Sequence, residues 1–392
     1  EALKVVTAGM LKGAKGSKAQ QVAALQAMMA SVFGGSESNL LAILSKRDFE
    51  DIVSPDMTVR EAAKYMAKIR KGVAVVDGSG ELVGIFTLKD MNNRVVAKDL
   101  SPDTTLVGEV MTGRPESVSS DMSLLETLHL MHDSKFTHVP VVDGEAVKGL
   151  VDAMDVMNAT MGDGSGKDGW RTFWEQTMEF GDDDASDTAS QRSVAKSAAS
   201  RATGASRAPT VPKPRVSGTV AKLRPSKPVV MFVTDSILAV SKAMADARTD
   251  SAILTGGDAN LAGIVTSTDV TRKVVALGKL PTDPVSSIMT PNPKCVSMED
   301  DATEALVMMM DNHFRHLPVL DSEGGIVAVL DIAKCMNDAI SKIEKLEEMG
   351  KKAGGSSDGA SEALKMATSG VKGMSHTQIQ TMHALLGPLM ES

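Results

Sequence analysis

Two short stretches of the sequence combine a threonine and an aspartate at a spacing that can bind a ligand. Thr87 precedes Asp90 by three residues, and Thr266 precedes Asp269 by the same distance, each pair directly after an apolar β-like run. A carboxylate at the start of a helix can accept hydrogen bonds from hydroxyl groups, and a threonine hydroxyl there can donate to an anion. The same two residues are also favoured simply as a helix cap, so a binding and a structural interpretation both stay open.

The same segment occurs twice more with other residues at these positions. Asp152 and Asp331 replace the threonine, and the second position holds Asp155 in one copy and Lys334 in the other. A carboxylate in a partly buried cleft repels an anionic group, so both copies are expected to reject one. Asp155 keeps a hydrogen-bond acceptor at the second position, so a neutral or cationic ligand stays possible in that copy. The copy with Lys334 has no hydrogen-bond acceptor at this position.

The four copies belong to an internal repeat. Positions 90 and 155 lie 65 residues apart, as do 269 and 334, so the repeat is a pair of pairs. Each copy follows an amphipathic helical pattern, a short apolar run and a turn. The repeating unit is therefore predicted to be strand, helix, strand, strand, helix.

These units resemble the CBS motif. The likeness rests on the Met-Thr-x-x-Pro starts at Met111 and Met289, the strands that contain Pro140 and Pro318, and the Gly-x-x-Thr-x-x-Asp ends. It implies an α/β fold in which four CBS motifs (β-α-β-β-α) form two pseudo-two-fold paired discs. A closer resemblance is to plant and fungal proteins that carry two CBS pairs followed by a ubiquitin-like interaction domain.

The chain is predicted to divide into two CBS pairs with connectors. Its predicted parts are a helical connector (1–46), CBS pair one (47–160, motifs 47–100 and 105–160), a Trp-containing segment with a low-complexity linker (161–217), CBS pair two (218–345, motifs 218–280 and 284–345) and a second helical connector (346–392). Trp170 and Trp174, four residues apart on one helical face, are expected to dock their segment onto a disc.

The resemblance also implies a ligand, because the cleft between paired CBS motifs holds an adenosine nucleotide in that family. Its aspartate would accept hydrogen bonds from the ribose hydroxyls and its threonine would donate to phosphate. His138, Arg315 and His316 precede the proline-containing strands, where the family reaches phosphate across the cleft. The residues assigned in this way are Thr87, Asp90, Asp155, Thr266, Asp269, His138, Arg315 and His316. The expected ligand is AMP, ADP, ATP or S-adenosylmethionine.

Neither catalysis nor a metal site is predicted. The sequence holds no nucleophile elbow, phosphate loop or zinc-protease motif, and CBS pairs in general regulate rather than catalyse. His129 and His132 lie three residues apart on a predicted helix and could share a metal ion, but the sequence places no third ligand beside them.

Composition bounds the remaining classes of function. The chain has 392 residues, too many for one ordinary core, and no apolar run approaches the roughly 20 residues of a membrane span. A net charge of −8 argues against a nucleic-acid-binding surface. Cys295 and Cys335 are interpreted as small core residues, which favours the cytoplasm or another reducing intracellular compartment.

The two ends of the chain resemble each other. Glu1-Ala2-Leu3-Lys4 recurs as Glu362-Ala363-Leu364-Lys365, and an amphipathic helical pattern follows both. We expect the chain to be one period of a longer tandem array, and its partners to be other proteins or further copies, bound through CBS discs and connector helices. Two functions follow: a non-catalytic, nucleotide-binding regulatory scaffold, or a structural filament or lattice whose nucleotide sites are vestigial.

Overall fold

The computed structural model describes residues 39–161, 165–179, 218–257 and 260–353. The described residues up to 340 belong to one compact unit, and those from 341 onwards belong to a second. The repeated ends of the chain and the low-complexity linker lie outside the described residues, so the tandem array stays a prediction. Within the described ranges, no helix has both the length and the apolar character needed to cross a membrane.

All four motifs show the predicted order of strand, helix, strand, strand and helix. In the first pair the elements are α1 (Leu40–Ser45), β1 (Ile52–Val53), α2 (Val59–Ile69), β2 (Val73–Val76), β3 (Leu82–Phe86), α3 (Leu88–Asp90), a first π-helix (Met91–Val96), α4 (Val107–Val110), β4 (Thr112–Gly113), β5 (Val118–Ser119), α5 (Leu124–Asp133), β6 (His138–Asp143), β7 (Ala146–Asp152) and α6 (Ala153–Met161). The α/β class is confirmed.

The second pair repeats this order after one additional helix. Its elements are α7 (Ser165–Glu179), a 3₁₀-helix (Val220–Leu223), β8 (Val230–Phe232), α8 (Ile237–Asp246), β9 (Ser251–Thr255), β10 (Leu261–Thr266), α9 (Ser267–Asp269), a second π-helix (Val270–Val275), a further 3₁₀-helix (Val285–Ser287), β11 (Thr290–Pro291), β12 (Val296–Ser297), α10 (Ala302–Asp311), β13 (His316–Leu320), β14 (Ile326–Asp331) and α11 (Ile332–Ala353).

Local sequence explains where the longer helices begin and which face they bury. Helix α2 starts in a capping box, in which the Thr58 side chain accepts from the Glu61 backbone N–H and the Glu61 carboxylate accepts from the Thr58 backbone. The helix ends at Arg70 in the left-handed conformation. Its buried residues recur every three to four positions, so one face packs inward: Val59, Ala62, Ala63, Met66 and Ile69.

Each pair exchanges a short strand between its two motifs. Strand β4, at the start of motif two, pairs antiparallel with β3 of motif one, and β11 of motif four pairs in the same way with β10 of motif three. In the reverse direction, Ser226 at the start of motif three forms a bridge with Val329 of motif four. This exchange places the start of one motif beside the Thr-x-x-Asp segment of the other.

The two pairs join through the helices of motifs one and three. Helix α2 packs on the second π-helix, α8 packs on the first π-helix, and one apolar cluster contains buried residues from both pairs. Polar contacts cross the same boundary, since Arg60 Nη1 donates to the Val275 carbonyl at 2.6 Å and Asn92 Nδ2 donates to the Ser241 carbonyl at 3.3 Å. Motifs one and three therefore share one core. Each motif carries helices with an apolar face, and each covers that face with the helices of the other motif.

Helix α7 lies against the helices of motifs two and four. It contacts α6 and α10, and its three aromatic side chains, Trp170, Phe173 and Trp174, are buried. The rings of Trp170 and Trp174 each meet the Phe173 ring edge-on at 5.0 Å between centroids. The expectation that the tryptophans dock this segment is confirmed.

The interpretation of both cysteines as core residues is wrong for one of them. Cys335 is buried in α11, where burial raises the pKa of its thiol to about 12. Cys295 is exposed instead and lies in the irregular segment directly before the short strand β12.

Candidate functional site

In motif one, Thr87 and Asp90 form a buried box at the junction of β3 and α3. Asp90 Oδ2 accepts from the Thr87 backbone N–H at 2.9 Å and from the Thr87 hydroxyl at 2.7 Å. Both hydrogen bonds use the same carboxylate oxygen, and this box is the helix cap that the residue types allow. The box fixes the Asp90 carboxylate in the first turn of α3 and leaves the second carboxylate oxygen, Oδ1, outside the box.

The second oxygen of Asp90 has only long contacts. Arg94 Nε lies 3.4 Å from Oδ1, and the Thr112 hydroxyl also lies 3.4 Å away. Hydrogen bonds of this length are weak, and a carboxylate oxygen can accept two good ones. The stronger bonds of Arg94 go elsewhere, to the carbonyls of Val110 at 3.0 Å and Met111 at 2.5 Å. Oδ1 therefore keeps the capacity to accept from a ligand hydroxyl.

Motif three repeats this arrangement with one difference. Asp269 Oδ2 accepts from the Thr266 backbone N–H at 3.0 Å and from its hydroxyl at 2.9 Å. Lys273 lies where motif one has Arg94, donating to the Ile288 carbonyl at 2.6 Å while its ammonium lies 2.8 Å from Asp269 Oδ1. The pseudo-symmetry thus extends from the threonine and aspartate to the cation four residues further on.

A π-helical turn follows the aspartate in both of these motifs. The first π-helix begins one residue after Asp90 and the second begins one residue after Asp269. Motifs two and four continue as regular α-helices at the same point. A π-helical turn is uncommon and frequently marks a functional site, so it distinguishes motifs one and three from the other two.

Close backbone approach holds the Met-Thr segment against each box. A Cβ added at Gly84 would overlap the Met111 sulfur and lie 3.0 Å from the Thr112 carbonyl oxygen. At Gly263 the added Cβ would lie 2.6 Å from the Met289 sulfur. The glycine of the Gly-x-x-Thr-x-x-Asp pattern is therefore required for packing rather than for a turn.

In motif two, an arginine and a lysine of the chain pair with Asp155, the carboxylate that corresponds to Asp90 of motif one. Arg47 Nη2 lies 2.7 Å from Asp155 Oδ2, and Lys71 pairs with the other oxygen of Asp155. Arg47 also pairs with Asp51 and donates to the Leu150 carbonyl at 2.9 Å. A ligand that used Asp155 as a ribose acceptor would have to displace both cations.

These carboxylates sit in a charged, largely buried environment. Burial raises the pKa of Asp51, with Arg47 opposing this effect. Burial also acts to raise the pKa of Asp152, but Lys71, His138 and Arg315 outweigh it and hold that pKa below its ordinary value. The arrangement is a compensated ion cluster rather than an open anion site.

In motif four a lysine replaces the carboxylate of the other copies. Lys334 Nζ donates to the Arg224 carbonyl at 2.9 Å and to the Ser226 hydroxyl at 3.0 Å, both at the start of motif three. Asp331 Oδ1 accepts from the Ala333 backbone N–H at 2.9 Å. The side chain of Lys334 therefore bridges the two motifs where the other copies have a carboxylate.

His138, Arg315 and His316 meet near the junction of the two pairs. His138 lies opposite Asp152 in the register of β6 and β7, and His316 lies opposite Asp331 in that of β13 and β14. Burial lowers the pKa of both histidines below the ordinary 6.5, and Arg315 acts on both in the same direction. The structure thus brings these three predicted residues together across the boundary between the pairs.

Sequence reasoning missed several charged residues of this region. Arg94 and Lys273 could have been found, because each is a cation four residues after the aspartate of the Thr-x-x-Asp segment in its own motif. Lys89 lies inside the Thr87–Asp90 segment itself, so it could also have been found. The others come from positions far away along the chain and carry no local signal: Arg47, Lys71 and Asp250.

Comparison with known proteins settles the family. The CBS domain family model matches residues 46–97, 107–162 and 285–338. This chain is a CBS-domain protein. Motif three lies outside those matches, yet it has the same order of elements and the same Thr-Asp box as motif one.

Curated relatives from a plant and a yeast extend over both pairs. The CBS domain-containing protein CBSCBSPB2 of Arabidopsis thaliana is 35% identical over 301 residues, covering 74% of this chain and 52% of the relative. The meiotically up-regulated gene 70 protein of Schizosaccharomyces pombe is 28% identical, covering 70% of this chain and 40% of the relative. The chain spans about half the length of the curated relatives it matches.

A solved structure has the same fold. Protein MJ1225 from Methanocaldococcus jannaschii superimposes with a TM-score of 0.53 at 15% sequence identity, covering 76% of this chain and 98% of that protein. The predicted CBS-pair architecture is thereby confirmed.

Proposed function

We propose that this CBS-domain protein is a non-catalytic regulatory protein that binds one adenosine nucleotide in each pair. The sites are the Thr87 and Asp90 box of motif one and the Thr266 and Asp269 box of motif three. In each, the aspartate accepts from the ribose hydroxyls and the threonine region contacts phosphate, as the family resemblance implies.

One observation carries the choice of the motif-one site. In motif two Arg47 pairs with the corresponding carboxylate and in motif four Lys334 replaces it, whereas Asp90 Oδ1 has no contact shorter than 3.4 Å among the described residues. The motif-three site is chosen for its matching box and π-helix, and there a ligand hydroxyl would share Asp269 Oδ1 with Lys273, which lies 2.8 Å away. Cations near the clefts, including Lys89 and Arg315, favour a phosphate-bearing ligand over a cationic one such as S-adenosylmethionine.

The test is a calorimetric titration of AMP, ADP, ATP and S-adenosylmethionine into the chain and into the double variant Asp90→Ala, Asp269→Ala. We expect one nucleotide per pair in the parent chain and at least about a tenfold loss of affinity in the variant. Nucleotide binding of unchanged affinity and stoichiometry in the folded variant would disprove these sites.

A matched control separates binding from helix capping. Glu61 and Glu126 form the same box with Thr58 and Ser123, each with a 2.7 Å bond to the hydroxyl, on helices outside the Thr-x-x-Asp segments. The double variant Glu61→Ala, Glu126→Ala loses comparable caps, so its thermal stability should fall as well. Its nucleotide affinity should stay at the level of the parent chain.

The structural-array function remains the alternative prediction. It depends on the similarity of residues 1–35 and 346–392, most of which lie outside the described residues. Rods or lattices in negative-stain micrographs that form equally with and without nucleotide would support it over regulation.

A further inference from the structure

Asp250 lies between two cations that belong to different pairs. Its Oδ1 is 3.7 Å from Lys89 Nζ of motif one, and its Oδ2 is 4.0 Å from Arg315 Nη2 of motif four. The Asp250 side chain is 18% exposed, and Lys89 also reaches the Arg248 carbonyl at 3.4 Å. The Asp250 carboxylate therefore lies near one positive charge from each CBS pair.

This group of side chains is compensated in charge but not in hydrogen bonding. Buried atoms of Asp250 (Oδ1), Arg315 (Nε) and His316 (Nε2) find no hydrogen-bond partner within the described parts of the chain. The side chain of His316 is only 6% exposed. Buried polar atoms are nearly always paired, and separations of 3.7 and 4.0 Å are too long for hydrogen bonds. These three atoms therefore keep hydrogen-bonding capacity that a polar group of a ligand could use.

The group borders both proposed nucleotide boxes. The Asp250 carbonyl accepts from the Ser267 backbone N–H at 3.0 Å, directly after Thr266. Lys89 follows Thr87 by two residues along the chain. A nucleotide held by its ribose at Asp90 or Asp269 would therefore extend its phosphates towards Lys89 and Arg315, where Asp250 already lies.

From this placement we infer that Asp250 is a specificity-determining residue that limits the number of phosphates on the bound nucleotide. It occupies the position between Lys89 and Arg315 that the outer phosphates of ATP would take. Each further phosphate adds negative charge beside a largely buried carboxylate, which is unfavourable, while the single phosphate of AMP is accommodated. Specificity of this kind comes from a repulsive group rather than from an added attraction. The inference rests on the proposed nucleotide binding.

The test compares AMP, ADP and ATP affinities of the full chain with those of Asp250→Asn. We expect the parent chain to prefer AMP, and the variant to shift the ratio of ATP to AMP affinity towards ATP by about tenfold or more. Asp246→Asn, which removes the same charge from an exposed position of α8, should keep the ratio of the parent chain. If Asp250→Asn fails to fold, Asp250→Ser provides the same comparison.

A second variant checks the attractive partner. Lys89→Met in the Asp250→Asn background should weaken ATP binding more than AMP binding, because the outer phosphates lose the cation that Asp250 had neutralised. Equal effects on the two nucleotides would contradict the placement.

The outcomes separate the two proposals. Nucleotide binding with an unchanged ATP to AMP ratio in Asp250→Asn would overturn the role of Asp250 and leave the proposed function intact. Absence of binding by every nucleotide to both the parent chain and the variant would overturn the proposed function, and the inference about Asp250 with it.

Discussion

At the scale of single residues, several ionisable side chains are buried beside groups of opposite charge. His316 shows this most clearly, because its side chain is only 6% exposed at the start of β13, opposite Asp331. Burial lowers its pKa below the ordinary 6.5, Arg315 and Lys89 act in the same direction, and Asp331 and Asp250 oppose them. Folding therefore favours the neutral imidazole.

This environment predicts that stability falls as pH drops below about 6.5. The unfolded chain binds a proton there while the folded His316 does not, so protonation favours unfolding, by at most about 1.4 kcal/mol per pH unit for one histidine. Between pH 7 and pH 5.5, urea unfolding should show a smaller loss of stability for His316→Gln than for the parent chain.

The exposed His313 provides the control for this measurement. His313→Asn keeps a residue type that tolerates the left-handed backbone at this position (φ 54°) and should lose as much stability as the parent chain between the two pH values. An identical pH dependence in the parent chain and His316→Gln would contradict the prediction.

At the scale of elements, the glycine that precedes each intact box decides how closely two segments approach. Gly84 in β3 faces Met111 and the Thr112 carbonyl across the β3–β4 pairing, so the Met-Thr segment can lie against Asp90. Gly78, in the turn between β2 and β3, provides a comparison within the same hairpin, because a Cβ added there would meet nothing within 4 Å among the described residues.

Gly84→Ala is expected to destabilise the protein by about 1–3 kcal/mol, because the added methyl overlaps Met111. It should also weaken nucleotide binding, since Thr112 must shift away from Asp90. Gly78→Ala should be neutral or slightly stabilising, because it restricts the unfolded chain without a clash. Chemical unfolding and titration of both variants check this, and equal stability of the two would show that the close approach is unimportant.

At the scale of the whole molecule, the two pairs depend on one shared core. Buried residues of α2 and the first π-helix pack with those of α8 and the second π-helix, and exposing this surface to water would cost stability. The two pairs are therefore not independent modules, although they are separate in sequence.

This arrangement predicts that the halves stay together after the linker is cut. With a protease site inserted between residues 181 and 217, the cleaved fragments should co-elute in gel filtration. Met244→Lys, which places a charge in the shared core, should release them, while Lys242→Glu at a neighbouring exposed position should not. Separate elution of fragments from the otherwise unaltered chain would contradict the shared core.

Sequence alone determined the features that depend on local spacing. The four repeats, their order of strands and helices, and the Thr-Asp boxes all involve residues within a few positions of each other, so hydrophobic periodicity and capping preferences reveal them. Thr87 and Asp90 form the same box whether or not a ligand binds, which is why sequence could name the residues but not decide between a cap and a site. The compartment and the absence of nucleic-acid binding stay predictions.

Only the tertiary structure decided which clefts are already filled. Arg47 reaches Asp155 from 108 positions away and Lys334 reaches Arg224 across 110 positions, so no local pattern reveals either contact. Asp250 meets Lys89 only because motif three packs on motif one. Long-range polar contacts depend on how surfaces pack rather than on spacing, and here they involve the aspartate of motif two and the lysine of motif four.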